Sequence, residues 1–183
     1  MKQYQDMMVD IETLGTQPGS IILSIGAVFF TPHELGPEFY EIITKKSCED
    51  VGCTIDQDAL DWWKKRSAEA RAIFSSEKAK PLGDVLDLFL SFIKSNSDPK
   101  KVRIWGDGSD FDNVLIISAL RKCKKNPSWR YWNHRCYRTL KSLYPSIRPP
   151  WTVVKHNSLN DAKSQAEHTQ KLLLALNGGR PCL

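Results

Sequence analysis

Met7-Met8-Val9-Asp10-Ile11-Glu12-Thr13-Leu14-Gly15 is the stretch on which the reading of the fold turns. An apolar run carries carboxylates at positions i and i+2, then meets a threonine and a glycine. In a strand, side chains two apart share a face, so Asp10 and Glu12 project together from one side of an otherwise buried sheet. Neighbouring carboxylates repel one another unless a cation lies between them. Hard divalent ions such as Mg²⁺ take oxygen ligands, commonly one or two protein carboxylates completed by water and substrate phosphate. A metal site is therefore the leading reading, and it requires further acids from elsewhere in the chain. The plainer alternative is an acidic strand end or turn, since Asp and Thr favour caps and Gly15 interrupts a strand.

The flanking sequence fits a strand inside an α/β domain. Residues 20–30 are rich in β-branched and aromatic side chains and stop at Thr31-Pro32, which reads as a buried second strand. Residues 38–43 form a shorter third strand with a more polar face, so the first third is an antiparallel meander. Residues 56–66 and 67–74 have helix-forming composition, with Asp56 and Ser67 as N-caps. Leu82, Val85, Leu86, Leu88, Phe89, Phe92 and Ile93 keep close to a 3.6-residue period and predict an amphipathic helix over 82–93. Residues 102–106 are a short central strand that leads through Asp107 to Asp112 into a helix over 113–122, with Asp110 as its cap. A strand followed by a helix at this point implies an α/β sandwich. A helix over 138–143, a proline-rich loop and a last helix over 159–176 complete the chain. At 183 residues, with no repeat or long linker, residues 1–183 fit a single domain.

Composition narrows the setting. No segment approaches the ~20 apolar residues of a membrane span, and the first six residues lack an apolar signal region, so a cytoplasmic protein without membrane contact is expected. The cysteines at 48, 53, 123, 136 and 182 are odd in number, dispersed and without a C-x-x-C pair, which predicts reduced thiols rather than a disulfide framework or a zinc site. A formal charge of +5 permits a polyanionic partner. Residues 122–138 interleave Lys122, Lys124, Lys125, Arg130, Arg135 and Arg138 with Trp129, Tyr131, Trp132 and Tyr137, the best candidate for a nucleic-acid contact. Its plain alternative has Trp132 and Tyr137 in the core and the charges coating a loop. Trp62 and Trp63 point roughly 100° apart on a helix, so one of them is at least partly exposed. Beside Lys64, Lys65 and Arg66 that side chain suits base stacking, or else is a core tryptophan next to a solvated basic face.

Further residues turn the opening pair into a constellation. Asp112 follows the central strand, and His156-Asn157-Ser158-Leu159-Asn160-Asp161 places a histidine five residues before an aspartate at the start of the last helix. With that helix starting near Ser158, Asp161 faces the sheet while His156 stays on the loop; rigid elements suit metal ligands and loops suit catalytic bases.

D-I-E-T-L-G at 10–15, W-G-D-G-S-D-F-D-N at 105–113 and H-x4-D-A at 156–162 resemble, in order and spread, the DEDDh 3′–5′ exonucleases of the DnaQ-like, ribonuclease H-like superfamily. The double tryptophan followed by Ser67-Ala68-Glu69-Ala70-Arg71 is similar to the branch of bacteriophage exonuclease A and small bacterial exoribonucleases. The resemblance implies a ribonuclease H-like α/β fold, a mixed five-stranded sheet flanked by helices. It implies two Mg²⁺ or Mn²⁺ ions held by Asp10, Glu12, Asp112 and Asp161, and His156 as general base. It further implies release of nucleoside 5′-monophosphates from the 3′ end of single-stranded DNA or RNA, and a homodimer. The substrate-binding set becomes Thr13, Leu14, Trp62, Trp63 and Phe111, with Leu14 a wedge against the terminal base.

The chemistry is coherent, because two ions stabilise the attacking and leaving oxygens of an in-line displacement at phosphorus and an imidazole takes a proton near neutral pH. Asp107 and Asp110 share the loop with Asp112, but the F-D-N context selects Asp112. Asn160 stands where the related branch often has a second acid. His168 reads as a packing or surface histidine, and His33 and His134 have no partner motif. The competing readings are a catalytically vestigial nucleic-acid-binding or polymerase-associated module, and another ribonuclease H-like metal enzyme such as an endonuclease. A binding module has no need to keep so costly a cluster of charge, and an endonuclease does not require H-x4-D.

Overall fold

The computed structural model describes residues 4–150, 156–176 and 178. Its centre is a mixed sheet of β1 (Asp6–Thr13), β2 (Ile22–Phe30), β3 (Leu35–Ile42), β4 (Arg103–Gly106) and β5 (His134–Cys136) in the order β3-β2-β1-β4-β5. The first three strands form the expected antiparallel meander, while β4 runs parallel to β1 and β5 parallel to β4. Around the sheet lie α1 (Lys45–Asp50), α2 (Gln57–Lys64), α3 (Ala68–Arg71), α4 (Leu82–Asn96), α5 (Asp112–Lys122), α6 (Tyr137–Ser142) and α7 (Ser158–Leu176). Every residue of β2 is buried, as its uninterrupted apolar run requires of a strand covered on both faces.

Alternation along β1 divides the core in two. Met7, Val9 and Ile11 join the layer built by Leu86 and Phe89 of α4 and Leu115 and Ile116 of α5. Met8 turns the other way, to Trp105, to Tyr137 of α6 and to Ala162, Ala166 and Leu172 of α7. Asp6, Asp10 and Glu12 share the parity of Met8 and so face the second layer. Asp6 is buried at the start of β1, where it takes the guanidinium of Arg103 and the indole N–H of Trp105 at 2.8 Å.

What seats α7 against the other end of β1 is the absence of a side chain. Gly26 lies opposite Asp10 in the β1–β2 register, and a Cβ there would collide with the backbone of Ser158 and Leu159. The hydroxyls of Ser24 and Ser158 meet beside it at 2.9 Å, both buried. Asn157 caps the helix, its Oδ1 accepting from the N–H of Asn160 at 3.1 Å. Together these fix the first turn of α7 over the carboxylates of β1.

Gly26→Ala is expected to destabilise the protein by about 1–3 kcal/mol, the usual penalty for overpacking, because the opposing atoms are backbone and cannot swing aside. Gly83→Ala, at a position in α4 with no atom within 4 Å of the added Cβ, is expected to leave stability unchanged or raise it by up to ~1 kcal/mol. Denaturant titration of the two variants checks the contrast, and equal effects would contradict it.

Candidate active site

Asp10 and Glu12 reach the α7 face near the end of β1, and Asp161 meets them from the first turn of α7. One carboxylate oxygen from each lies within 4.8 Å of the others, a grouping that fits a metal ion. Asp112 stands a step aside, buried at the first residue of α5, with its Oδ2 accepting from the N–H of Asp107 at 2.7 Å. Gly106 makes room for it, since a Cβ there would lie 2.9 Å from that same oxygen. The structure thus brings together all four predicted acids, three in a tight group and Asp112 beside them.

Burial sets their electrostatics. The Asp10 carboxyl is held well above its ordinary range, by burial first and then by repulsion from Asp112, Glu12 and Asp161, against the hydrogen bond from Gln165. Burial, with Asp161 and then Asp112, pushes Glu12 up to about 8. Asp112 rises to about 7 through burial, opposed by the N–H of Asp107. Among the described residues no cationic side chain forms an ion pair with Asp10, Glu12 or Asp112.

His156 sits just before α7 in a left-handed backbone conformation, φ 63°, which histidine adopts more readily than most residues. Its N–H donates to Asp161 Oδ2 at 3.0 Å. Its ring stands edge-on to Trp62, with centroids 4.7 Å apart at 85°. Gln165, one turn beyond Asp161, was not foreseen: its Nε2 donates to Asp10 Oδ1 at 2.7 Å. No motif marks it, and only the i, i+4 spacing from Asp161 places it on the same helix face.

Beside Glu12 opens a cleft of about 480 Å³ whose lining includes Thr13, Trp62, Trp63 and Phe111 from the predicted substrate-binding set, together with Asp56 and Asp58. Trp63 is buried and its indole N–H donates to the Thr13 carbonyl at 2.8 Å, while Trp62 is 39% exposed under the guanidinium of Arg66. Leu14 is a correction. Its side chain is fully buried in the core, its N–H is held by Ile21 and its carbonyl by Asp56, so it presents no wedge to a ligand. Asp56 occupies the N-cap position of α2, but its carboxylate bonds to the Thr16 N–H instead. Asp110 does not cap α5: Phe111 holds that position without a side-chain cap.

The basic, aromatic segment is split. Trp129 and Tyr137 are buried, whereas Tyr131 and Trp132 are exposed, with Arg130 over the Trp132 ring, so Trp132 is not a core residue. Because β1, β4 and β5 are parallel, the turn at 131–133 preceding β5 lies at the end of the sheet opposite the carboxylates. His134 accepts from the Trp129 indole at 2.8 Å. His168 is buried between the Tyr137 hydroxyl and the Ile147 carbonyl and is a packing histidine, kept neutral-leaning by burial. Among the described residues no helix is long and apolar enough to cross a membrane.

Residues 5–173 match the profile of a family described as the 3′–5′ exoribonuclease Rv2179c-like domain. An exodeoxyribonuclease of Enterobacteria phage T4 is 24% identical over an alignment that covers 85% of this chain and 83% of the relative. Among solved structures, the nuclease domain of 3′hExo, a DEDDh family member bound to rAMP, superposes with a TM-score of 0.60 at 12% identity, covering 100% of this chain and 98% of that one. Exonuclease X in complex with 5′ overhanging duplex DNA gives 0.59 at 16% identity, with 97% and 95% covered.

The raised Glu12 carboxyl has a consequence for the metal-free protein. A carboxyl whose folded value of about 8 exceeds its ordinary 4.5 adds stability that is complete below 4.5 and lost as pH rises through 8. Glu12→Gln removes that loss. In chelator the variant is expected to melt about 3 °C or more above the parent at pH 8 and to converge with it near pH 5, the shift expected for roughly 1 kcal/mol in a domain of this size. Thermal melts across that range check the sign.

Proposed function

Because the chain belongs to the family of 3′–5′ exoribonuclease Rv2179c-like domains, we propose that it removes nucleoside 5′-monophosphates one at a time from the 3′ ends of single strands, using two divalent ions. The observation that carries this is the convergence of Asp10, Glu12 and Asp161, with oxygens within 4.8 Å, at the mouth of an aromatic-lined cleft. The donor set fits Mg²⁺ or Mn²⁺: it is all carboxylate, it includes no thiolate, and among the described residues no ion pair meets the charge of Asp10, Glu12 or Asp112. Asp10, Glu12, Asp112 and Asp161 would hold the ions. Ions bound there supply charge stabilisation at the attacking and leaving oxygens of the phosphoryl displacement.

The remaining work falls to the chain's own groups. His156 takes the proton of the attacking water, its ring steadied by Trp62 and its backbone by Asp161. The bond broken joins the terminal phosphorus to the 3′ oxygen of the preceding nucleotide, which leaves as the new 3′ hydroxyl. Trp62 and Phe111 offer faces for the terminal base, and Trp63 fixes the Thr13 backbone on the opposite wall. The family description names a ribonuclease and the phage relative a deoxyribonuclease, so both sugars belong in the test.

Strands of RNA and of DNA, labelled at the 3′ or the 5′ end, are incubated with Mg²⁺ or Mn²⁺. The expected outcome is mononucleotide release from the 3′ end, abolished by chelator and absent from circular or 3′-blocked strands. His156→Ala is expected to lower kcat by about 10²–10⁴, and Asp10→Ala by at least as much, with the fold retained. Full activity in either variant overturns the assignment. Cleavage of circles would favour an endonuclease, and binding without release a vestigial module.

A further inference from the structure

We propose that Gln165 is a positioning residue for the carboxylate cluster, fixing the rotation of Asp10 so that its charge stays available to a divalent ion. The inference rests on the metal centre proposed above and concerns a residue outside the DEDDh motifs. Asp10 comes from β1 and Asp161 from α7, so their relation depends on what spans sheet and helix. One such span is the pair of serine hydroxyls at Ser24 and Ser158, and another is the Gln165 amide, bonded to Asp10 Oδ1 at 2.7 Å.

That bond works against a local force. Repulsion from Asp112, Glu12 and Asp161 favours turning the Asp10 carboxylate out of the group, and the Gln165 amide bonded to its Oδ1 opposes this. The donor is neutral, and its neutrality matters. A lysine or arginine in the same place would pair with Asp10 and compete with a metal ion for its charge, whereas an amide orients the carboxylate without cancelling it. The amide's orientation follows from the same chemistry, since turning it over would set its oxygen against an ionised carboxylate oxygen.

The other end of the amide supports the argument. Gln165 Oε1 is buried and has no hydrogen-bond partner among the described residues. A buried acceptor without a donor is unfavourable, so this side chain is held by its Asp10 end. Removing the amide therefore acts on Asp10, and through it on metal affinity, before it acts on the fold.

Mn²⁺ binding to the full chain, measured by calorimetry without nucleic acid, tests the proposal. Gln165→Met keeps the bulk but has no donor and only a weak thioether acceptor. It is expected to bind Mn²⁺ about tenfold more weakly or worse, the usual effect of losing an outer-shell partner, and to need a proportionately higher Mn²⁺ concentration for half-maximal nucleotide release. Gln165→Lys keeps a donor but adds charge. It is expected to raise the melting temperature of the metal-free protein and to weaken Mn²⁺ binding further still. A merely structural role would lower the melting temperature in both variants and leave Mn²⁺ affinity untouched. Wild-type affinity in Gln165→Met overturns the proposal, and if that variant does not fold, wild-type affinity in Gln165→Lys overturns it. Asp10→Asn is the reference: if it too binds Mn²⁺ normally, the proposed metal centre fails as well, whereas weak binding there with normal binding in Gln165→Met sinks the inference alone.

Discussion

Mutual repulsion among carboxylates brought out of water is the constraint to which the rest of this molecule answers. Asp10, Glu12 and Asp112 are each raised by burial, and the charges of Asp161 and Asp112 add to the load on Asp10 and Glu12. Such an arrangement does not form by default, because each acid is individually better off solvated. It is imposed by packing. Gly26 lets the first turn of α7 reach the sheet, Gly106 leaves space for Asp112, and the apolar layer of Met8, Ala162 and Ala166 holds α7 down.

The same face of β1 carries the counter-example. Asp6 has the parity of Asp10 and Glu12 and is buried too, yet it meets Arg103 and the Trp105 indole, and so ties β1 to β4. One strand face therefore holds an ion-paired carboxylate at its start and, among the described residues, carboxylates without an ion pair near its end. Burial is common to these acids, and what separates them among the described residues is the cationic partner that Asp6 has and Asp10 and Glu12 do not.

How much of this the sequence disclosed depends on whether the signal was local. The period-two placement of Asp10 and Glu12 and the apolar run of β2 are properties of adjacent residues and read correctly. The strand β5 is three residues, His134–Cys136, without apolar alternation, and it was legible only through the family resemblance that implied five strands. Leu14 misled because a motif position says nothing of where a side chain points. The chain turns after Thr13 so that Leu14 enters the core while Thr13 keeps the cleft wall. Asp110 misled because capping preference is weaker than the demand on Asp112, which takes the Asp107 N–H across the same loop. Gly26 and Gln165 were silent for one reason. Each matters through an element more than a hundred residues away in sequence, and only folding reveals the partner.

The distribution of basic side chains completes the logic. The chain carries 26 Lys and Arg against 21 Asp and Glu, so cations to neutralise the cluster are not lacking. Three of those near the site are occupied at one remove. Asp107, whose N–H holds Asp112, takes Lys141 at 3.0 Å and Arg138 at 3.3 Å from α6. Lys163, two residues beyond Asp161, turns to Glu38 on β3 at 2.6 Å. Acids outside the cluster thus draw off the neighbouring lysines and arginine, and a neutral amide supplies the contact at Asp10. Among the described residues no lysine or arginine pairs with Asp10, Glu12 or Asp112, and an external cation is the species suited to answer such a group.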